Sequence, residues 1–324
     1  MRPKQVFFSI CVQVSLLLGS AGAYAQDAGP PEPAVPDVEP GKSGLSYRYA
    51  DTFGVTESPY KADNKHFEQP HALAVDANQK VYVLDHAGSR VHQFNKNGIH
   101  QWNLGKAGMH YVSQGEDVFN WPRDVGVDGS DNLWVVDSQR VTQYNSSGAY
   151  QQVFPKWDDD PWDCGEDNGH FCEPAGIAFD SSGWMYVSDD FNHRVQVFKF
   201  TGGEPVDYKT IGQTGNPGNG SDQFNHPGQI VIDSFDNLFV ADRNNARIQK
   251  CEYNAGTENW TCSTFHGTGS FGSGDDQLKY VEGLGIIDDT LFIADSDNNR
   301  VKSCNVTVWH NPCGTFATAL DYPT

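Results

Sequence analysis

The stretch VYVLDHAGSRVHQF, from Val81 to Phe94, recurs four more times in this chain of 324 residues. The further copies are LWVVDSQRVTQY (Leu133–Tyr144), MYVSDDFNHRVQVF (Met185–Phe198), LFVADRNNARIQKC (Leu238–Cys251) and LFIADSDNNRVKSC (Leu291–Cys304). Their shared aspartates, Asp85, Asp137, Asp189, Asp242 and Asp295, are separated by 52, 52, 53 and 53 residues. A period this regular indicates a repeat architecture, in which each repeat is one supersecondary unit.

Each repeat reads as four short β-strands. An alternating strand opens it, as in FEQPHALAVD (67–76) and FNWPRDVGVD (119–128), and a turn rich in Asp, Asn, Ser and Gly follows. The recurring stretch supplies the second and third strands, and a looser fourth strand ends the unit. Period-2 strands without helical periodicity predict an antiparallel meander. Copies packed around an axis cover each other's faces, so we predict an all-β fold, a β-propeller.

The phrase PxGIAVD followed by LYVADxxNxRIQxF resembles the NHL repeat family, from about Phe67 to Phe316. The resemblance implies an NHL-type propeller over residues 44–324, with repeats beginning near residues 67, 119, 171, 224 and 278. Two copies depart from the pattern. In the second, Arg140 follows Asp137 by three residues where the others have five, and the fifth has Val281 in place of the proline.

An aspartate and an arginine recur together, as in Asp189/Arg194 and Asp242/Arg247. A residue type present in every blade is expected to serve the blade itself. Turn capping by the aspartate and a bidentate ion pair across the turn are sufficient reasons for it.

The number of blades stays open at the level of sequence. Leu45–Gly54 (LSYRYADTFG) reads as a fourth strand without the first three, and Tyr322-Pro323 reads as the opening of another copy. NHL-like propellers commonly close through an N-terminal strand that completes the last blade. We therefore expect five blades plus the outer strand of an incomplete sixth; the alternative is a closed five-bladed ring with Leu45–Gly54 as an extra edge strand.

The N-terminal region predicts export. Residues 1–25 combine Arg2 and Lys4, an apolar stretch and the small-x-small sequence Ala23-Tyr24-Ala25, which is the pattern of a secretory signal. Residues 26–43 are rich in Pro and Gly and are predicted to be a disordered linker. We expect a secreted, extracellular protein, or a periplasmic one in a bacterium, without a transmembrane segment after signal cleavage.

Six of the seven cysteines remain after the signal, and their spacing favours local disulfides in an oxidising compartment. The predicted pairs are Cys164–Cys172, Cys251–Cys262 and Cys304–Cys313, each expected to join neighbouring outer strands of one blade. Sequons at Asn145, Asn219, Asn259 and Asn305 are glycosylation candidates if the source is eukaryotic.

The formal charge of −20 and the lack of a basic stripe argue against a nucleic-acid partner, because phosphate binding needs clustered Lys and Arg. A protein, peptide or glycan is the expected partner. The oligomeric state is left open.

The residue after each repeat's proline is predicted to face the mouth of the central channel, where propellers usually bind ligands. These residues are His71, Arg123, Ala175 and Gly228, with Glu282 after Val281. A structural ring would repeat one residue type, whereas these differ, which favours ligand contact. The alternative is that they are merely variable positions near loops.

Among NHL-like enzymes the resemblance is to peptidyl-hydroxyglycine lyases, which complete peptide amidation and hold catalytic zinc with three histidines, each after a repeat's proline. Only Pro70-His71 keeps that phrase, since Arg123 and Gly228 stand at two matching positions. The phrase VADRNNARIQ, with Arg243, is similar to the enzyme's fourth-repeat phrase, which makes Arg243 a further candidate, while Phe191 replaces an expected tyrosine. One histidine does not replace three zinc ligands.

An acidic insert, WDDDPWDCGEDNGH (Trp157–His170), offers oxygen ligands of the kind that calcium takes. The calcium candidates are Asp158, Asp160, Asp163 and Glu166. The insert lacks the spaced D-x-D-x-D-G phrase, so a solvated turn between blades is the competing interpretation. Calcium and zinc are the two cofactors left open, and neither is assigned.

These observations favour a secreted NHL-type propeller that binds a protein, peptide or glycan at its channel mouth without catalysis. The alternative is a metal-dependent propeller enzyme, such as a peptidyl-hydroxyglycine lyase-like enzyme or a hydrolase. The sequence does not identify the ligand.

Overall fold

The computed structural model describes residues 66–105, 118–154, 164–308 and 313–318. These residues form five four-stranded antiparallel sheets, each built from four consecutive strands. The first strands of successive sheets contact one another in chain order, so the sheets are blades around a common axis. The predicted all-β propeller with five four-stranded blades is confirmed. The predicted signal, linker and strand Leu45–Gly54 lie outside the described residues.

Strands are numbered in chain order, and the first strand of each blade is the inner one. Blade 1 contains β1 (Pro70–Val75), β2 (Val81–Asp85), β3 (Arg90–Phe94) and β4 (His100–Leu104). Blade 2 contains β5 (Asp124–Val127), β6 (Leu133–Asp137), β7 (Arg140–Tyr144) and β8 (Tyr150–Phe154). Blade 3 contains β9 (Pro174–Phe179), β10 (Met185–Asp189), β11 (Arg194–Thr201) and β12 (Glu204–Gly212). Blade 4 contains β13 (Pro227–Ile232), β14 (Leu238–Asp242), β15 (Arg247–Asn254) and β16 (Asn259–His266), and blade 5 contains β17 (Val281–Ile287), β18 (Thr290–Asp295), β19 (Arg300–Asn305) and β20 (Gly314–Thr318).

An aspartate closes the turn between the first two strands of blades 1 to 4. In blade 1, Asp76 accepts hydrogen bonds at its Oδ1 from the backbone N–H groups of Asn78 and Lys80, both at 2.9 Å. The equivalent residues Asp128, Asp180 and Asp233 accept the same two bonds. A carboxylate that satisfies two turn donors explains the Asp-rich composition of these turns.

The recurring aspartate–arginine pair fastens the loop before each blade to the blade itself. In blade 3, Arg194 Nε donates to Asp189 at 2.9 Å, and its guanidinium also donates to the backbone carbonyls of Glu166, Asp167 and His170 at 2.6 to 3.0 Å. Arg247 and Arg300 make the same contacts in blades 4 and 5. The pairs serve the blade itself, as predicted, but in blades 3 to 5 the arginine contacts the aspartate through one Nε hydrogen bond and not through the expected bidentate pair.

The hydrophobic core lies between blades. Among the described residues, four apolar clusters fill the spaces between blades 1 and 2, 2 and 3, 3 and 4, and 4 and 5. Between blades 2 and 3, the fully buried Trp134 contacts Phe154, Phe179 and Phe200. Large aromatic side chains of this kind supply much of the buried area that holds a sheet face. Each blade is therefore stabilised by its neighbours.

The three predicted cysteine pairs are disulfide bonds in the structure. Cys251 and Cys262 lie opposite each other on the two outer strands of blade 4, and Cys304–Cys313 joins the outer strands of blade 5 near their turn. Cys164–Cys172 differs from the expectation, because both cysteines precede the inner strand of blade 3. This bond closes the loop whose carbonyls receive Arg194.

The five inner strands line a central channel with two different ends. Where the strands finish, Val75, Val127 and Ile232 are among the side chains around an apolar cavity of about 100 Å³. Where the strands begin, the channel is polar. Within the ranges given above, no helix has the length and apolar character needed to cross a membrane.

Candidate functional site at the channel mouth

The residues that follow the repeat prolines meet at the polar end of the channel. His71, Arg123, Ala175, Gly228 and Glu282 all line one cavity of about 210 Å³. They come together because each stands at the start of an inner strand and the five inner strands begin at the same end of the axis. Arg243 lines the same cavity from the loop after β14.

A buried carboxylate organises the positive charges of the mouth. Asp190, only 1% exposed, follows β10 and contacts three cationic or ionisable side chains. It accepts a hydrogen bond from Arg123 Nη1 at 3.3 Å, one from His226 Nδ1 at 2.9 Å and a short one from Arg243 Nη2. A buried charge has to be compensated in this way. Asp190 thereby holds both guanidinium groups beside the cavity.

The two arginines differ in how much of their hydrogen-bonding capacity is used. Arg123 has a second acidic partner, since its Nη2 lies 2.5 Å from Glu173 Oε2. Arg243 donates from Nε to the backbone carbonyl of His226 at 3.3 Å and from Nη2 to Asp190. Within the described part of the chain, its Nη1 makes no hydrogen bond; the Oε2 of Glu282 is 3.9 Å away. The Arg243 side chain is 20% exposed and that of Glu282 23%.

Gly228 creates the space in which Arg243 lies. A Cβ atom at this position would be 2.8 Å from Cδ of Arg243 and 3.1 Å from its Cγ and Nε. Those distances are shorter than carbon atoms tolerate, so any other residue here would displace the arginine stem. The glycine at the post-proline position of blade 4 is therefore part of the site even though it has no side chain.

His71 is held as a neutral imidazole. Its Nδ1 donates to the backbone carbonyl of Arg123 at 2.9 Å, which fixes the tautomer. The pKa of His71 is lowered from 6.5 to about 4, mainly by burial and also by the nearby His86, Arg123 and Arg243, against the effect of that hydrogen bond. The rings of His71 and His86 lie 5.3 Å apart. At neutral pH the mouth thus presents uncharged imidazole beside guanidinium.

A buried acid lies just below the mouth. Asp124, directly after Arg123, accepts hydrogen bonds at Oδ2 from the Ile177 backbone N–H at 2.8 Å and from Gln229 Nε2 at 3.0 Å. Its Oδ1 is buried and has no hydrogen-bond partner among the described residues. The pKa of Asp124 is raised to about 7, because the effect of burial exceeds that of the hydrogen bonds from Ile177, Val125 and Gln229, which lower it.

Comparison with known proteins agrees with this architecture. The NHL repeat model matches residues 171–198, which run from the loop before β9 to β11 of blade 3. The four other blades of the described chain carry versions of the same phrase.

The chain is a β-propeller whose third blade carries an NHL repeat.

Named relatives of this NHL propeller are enzymes of peptide amidation. It is 30% identical over 189 residues to peptidylglycine alpha-amidating monooxygenase of Rattus norvegicus, covering 53% of this chain and 17% of that protein. It is 25% identical over 137 residues to a probable peptidyl-alpha-hydroxyglycine alpha-amidating lyase of Caenorhabditis elegans, covering 42% of this chain and 38% of that protein. The chain therefore spans less than half the length of these relatives.

Solved structures share the fold at low sequence identity. An auxiliary nutrient binding protein from Bacteroides ovatus matches with a TM-score of 0.53 and 14% identity, covering 71% of this chain and 57% of that one. A second Bacteroides protein, from Bacteroides thetaiotaomicron, also matches with a TM-score of 0.53 and 14% identity. At these identities the comparison concerns the fold alone.

The mouth of the NHL propeller does not fit a zinc ion. The described residues contain no group of three or more His, Cys, Asp or Glu side chains placed to hold a metal. His71 has its Nδ1 bonded to a carbonyl and lies near the guanidinium groups of Arg123 and Arg243. A site built on two fixed cations repels a third. We therefore derive no chemical step through zinc.

The acidic insert is described only from Cys164 onward, so the calcium candidates Asp158, Asp160 and Asp163 lie outside the described residues. The backbone carbonyl of Glu166 accepts a 2.6 Å hydrogen bond from Arg194. This end of the insert serves the same purpose as residues 219–223 in blade 4, which receive Arg247. Calcium binding stays a prediction.

The glycosylation candidates are all in the described residues. Asn219 and Asn259 are exposed. Asn145 and Asn305 are partly exposed, and each accepts a hydrogen bond at Oδ1 from the hydroxyl of its own sequon, Ser147 or Thr307, at 2.7 Å. Both bonds use the side-chain oxygen, so the amide nitrogen, which is the atom that is glycosylated, takes no part in them. Modification itself remains a prediction.

Three residues of the mouth were not singled out by sequence reasoning. His86 and Asp190 each follow a recurring aspartate, the position that Arg243 holds in blade 4. His226, which stands before the proline of blade 4, is partly buried against Asp190. The position after the recurring aspartate varies in chemistry between copies, just as the post-proline position does, and that variation is the signal that would have found the first two.

Proposed function

We propose that this NHL propeller is a secreted binding module that holds the carboxylate end of a peptide at its channel mouth. One observation carries the proposal: Arg243 and Glu282 face the same 210 Å³ cavity and keep a donor and an acceptor without hydrogen-bond partners in the described chain. The two groups form a long ion pair with each other at 3.9 Å and are partly exposed, so a polar ligand at the mouth can hydrogen-bond to both.

The donor side of the site suits a carboxylate. A guanidinium presents N–H groups in a fixed fork that matches a carboxylate, and charge-assisted bonds of this kind are stronger than neutral ones. Asp190 fixes Arg243 through Nη2, and Gly228 leaves room for its stem. Because the arginine is already ordered, little side-chain entropy is lost when a ligand binds.

The acceptor side of the site suits a peptide rather than a simple anion. Glu282 would repel an anion that offers no hydrogen-bond donor, whereas the last residue of a peptide has both a carboxylate and a backbone N–H. The names of the relatives above, which describe enzymes of peptidylglycine and peptidyl-alpha-hydroxyglycine, point to the same class of molecule. Peptides are therefore favoured over glycans as the partner.

The competing function is an amidating lyase. It is favoured by the 30% identity to the rat protein, but the arrangement of Arg123, Gly228 and His71 supplies no three-histidine site. Peptide binding without metal chemistry accounts for the residues present at the mouth. The lyase reaction is retained as an outcome of the test.

Secretion forms part of the proposal. Three disulfides in a chain of this size are typical of oxidising compartments. Residues 1–25 have the composition of a secretory signal. Detection of the mature protein in culture medium, with an N-terminus near Gln26, tests this point.

The experiment compares blocked dipeptides ending in glycine as the free acid and as the amide, by isothermal titration of the purified protein. We expect the acid to bind at least about ten-fold more tightly than the amide. Arg243→Gln should remove this difference. Lys209→Gln, a charge change at an exposed Lys209–Glu258 pair on outer strands, is the control.

Equal binding of acid and amide would overturn the proposal. The lyase alternative is measured in the same preparation, by release of amidated peptide from a substrate ending in α-hydroxyglycine with added zinc. Turnover that is lost in His71→Ala would establish the alternative instead.

A further inference from the structure

A second cavity of about 400 Å³ lies beside the mouth and shares His86 and Arg123 with it. Trp121, Ser138 and Gln139 line its other side; we refer to it as the Trp121 groove. Together, the two cavities fall in the range of about 300–1,000 Å³ that ligand pockets occupy. Since Arg123 belongs to both, a ligand at the mouth can continue into the groove.

The backbone around Trp121 is firmly held. Asn120 donates its N–H to Asp137 Oδ2 at 3.1 Å and accepts hydrogen bonds from the N–H and hydroxyl of Ser138 at 3.0 and 2.8 Å. Arg123 N–H donates to the Val136 carbonyl at 2.8 Å. The Trp121 ring lies 5.2 Å from the ring of His86. A preorganised aromatic wall of this kind loses little entropy when it binds a second ring.

The residue before the repeat's proline, or before Val281 in blade 5, has a positive φ in each of blades 2 to 5. The values are 50° at Trp121, 54° at Glu173, 55° at His226 and 50° at Tyr280. Glu173 contacts Arg123 and His226 contacts Asp190, whereas Tyr280 stacks on Phe271 with ring centroids 5.3 Å apart. Trp121 and Glu173 both line the groove, and Trp121 is the one of the two with an aromatic ring.

The groove favours an uncharged flat side chain. Its acid, Glu173, is 2.5 Å from the Arg123 guanidinium, so their charges offset each other. The Ser138 hydroxyl is already bonded to the Asn120 carbonyl. The groove offers a ligand the aromatic surfaces of Trp121 and His86, together with the Gln139 side chain and the Oδ1 of Asn120, which has no hydrogen-bond partner among the described residues. Aromatic rings pair with such aromatic surfaces by offset or edge-to-face contact.

We infer that the Trp121 groove is the subsite for the penultimate residue of a peptide whose C-terminal carboxylate is bound near Arg243, and that it selects an aromatic side chain there. This inference rests on the proposed function, because the mouth sets the direction of the peptide. Beyond that function, the inference identifies the penultimate residue of the peptide as a second point of recognition and the Trp121 groove as the surface that recognises it. Sugars also stack on aromatic rings, so a glycan is an outcome that the test has to separate.

The test uses two blocked dipeptides, acetyl-Phe-Gly and acetyl-Ala-Gly, as free acids. Wild-type protein should bind the Phe peptide about ten-fold more tightly than the Ala peptide. Trp121→Ala should remove that preference and leave binding of the Ala peptide within about two-fold of wild type. Tyr280→Ala is the matched control, since it removes an aromatic ring at the same repeat position and nearly the same φ, and it should keep the preference.

A second variant makes the test independent of how well Trp121→Ala folds. Gln139→Trp fills the groove from its opposite side and should also reduce binding of the Phe peptide but not of the Ala peptide. A preference that survives in both groove variants, or that is lost in Tyr280→Ala, overturns the subsite.

The two proposals fail in distinguishable ways. Carboxylate-dependent binding with no preference for Phe keeps the proposed function and rejects the groove. Absence of binding by either peptide rejects both, and binding of a neutral oligosaccharide that Trp121→Ala abolishes would assign the groove to a glycan and reject the peptide.

Discussion

Asp124 and Gln229 connect two blades that are not neighbours. The Gln229 side chain, on the inner strand of blade 4, donates a 3.0 Å hydrogen bond to the carboxylate of Asp124 on the inner strand of blade 2. The backbone N–H of Ile177, from blade 3 between them, donates to the same oxygen at 2.8 Å. The polar mouth therefore lies above a buried carboxyl group whose pKa burial raises to about 7.

The stability of the protein should depend on the protonation of Asp124. Because the pKa of Asp124 is near 7 in the folded protein and its ordinary value is 3.8, the folded protein keeps a proton that the unfolded chain loses above about pH 4. The stabilising contribution is therefore complete below about pH 4 and is lost as the pH rises through 7.

The variant Asp124→Asn removes this contribution and tests it. The free energy of unfolding of the wild type minus that of the variant should fall by about 2–4 kcal/mol between about pH 4 and pH 8. Urea unfolding at several pH values measures the difference, in which the other titrating groups cancel. A difference that stays constant, or that rises with pH, would contradict the assignment.

The arginine that fastens each blade should matter more for stability than an exposed cation. Arg194 is 1% exposed and donates to Asp189 and to three backbone carbonyls. Arg194→Gln leaves the Asp189 carboxylate buried without its counter-charge, so we expect a loss of about 3–5 kcal/mol in the free energy of unfolding. Lys209→Gln should change it by less than about 1 kcal/mol. Similar losses in the two variants would argue against the brace.

The repeat frame explains why much of the fold could be predicted from sequence. Arg140 follows Asp137 after three residues instead of five, yet its Nε still donates to both carboxylate oxygens, at 2.9 and 3.0 Å. The ladder pairs these two residues directly, so a shorter turn keeps the contact. Because the aspartate–arginine contact is kept when the turn is shortened, the repeated phrase predicts the blade even where its length varies.

The site was only partly accessible to sequence reasoning, because its residues come from three positions of the repeat. The post-proline position gives His71 and Arg123, and the sequence analysis considered it. Asp190 stands after the recurring aspartate, where the sequence analysis singled out Arg243 alone, and His226 stands before the proline, a position that it did not single out. Which of these side chains form pairs depends on the distances between blades 2, 3 and 4 at the channel mouth. Those distances are set by how the blades pack around the axis and cannot be read from the sequence.

The disulfide between the outer strands of blade 4 should contribute measurably to stability. Cys251 and Cys262 are paired across the ladder and separated by 11 residues. Closing a loop of this length restricts the unfolded chain by about 3 kcal/mol in the chain-entropy model. The double variant Cys251→Ser, Cys262→Ser should lower the free energy of unfolding by about that amount under oxidising conditions. A reducing agent should lower the free energy of unfolding of the wild type by more than that of the double variant, because the wild type loses three disulfides and the variant only two. An equal decrease in both proteins would contradict the prediction.

The position of Arg243 can be tested without changing the arginine. Gly228→Ala places a methyl group where Cδ of Arg243 lies 2.8 Å away, so the stem must move and its guanidinium leaves the place set by Asp190. We expect binding of a free-acid dipeptide to weaken by at least about ten-fold, which corresponds to 1.4 kcal/mol. Gly129→Ala is the matched control, because a Cβ there meets nothing within 4 Å. Unchanged affinity in Gly228→Ala, together with a loss in Arg243→Gln, would mean that the arginine reaches its ligand from more than one position, so that the glycine is not required to place it.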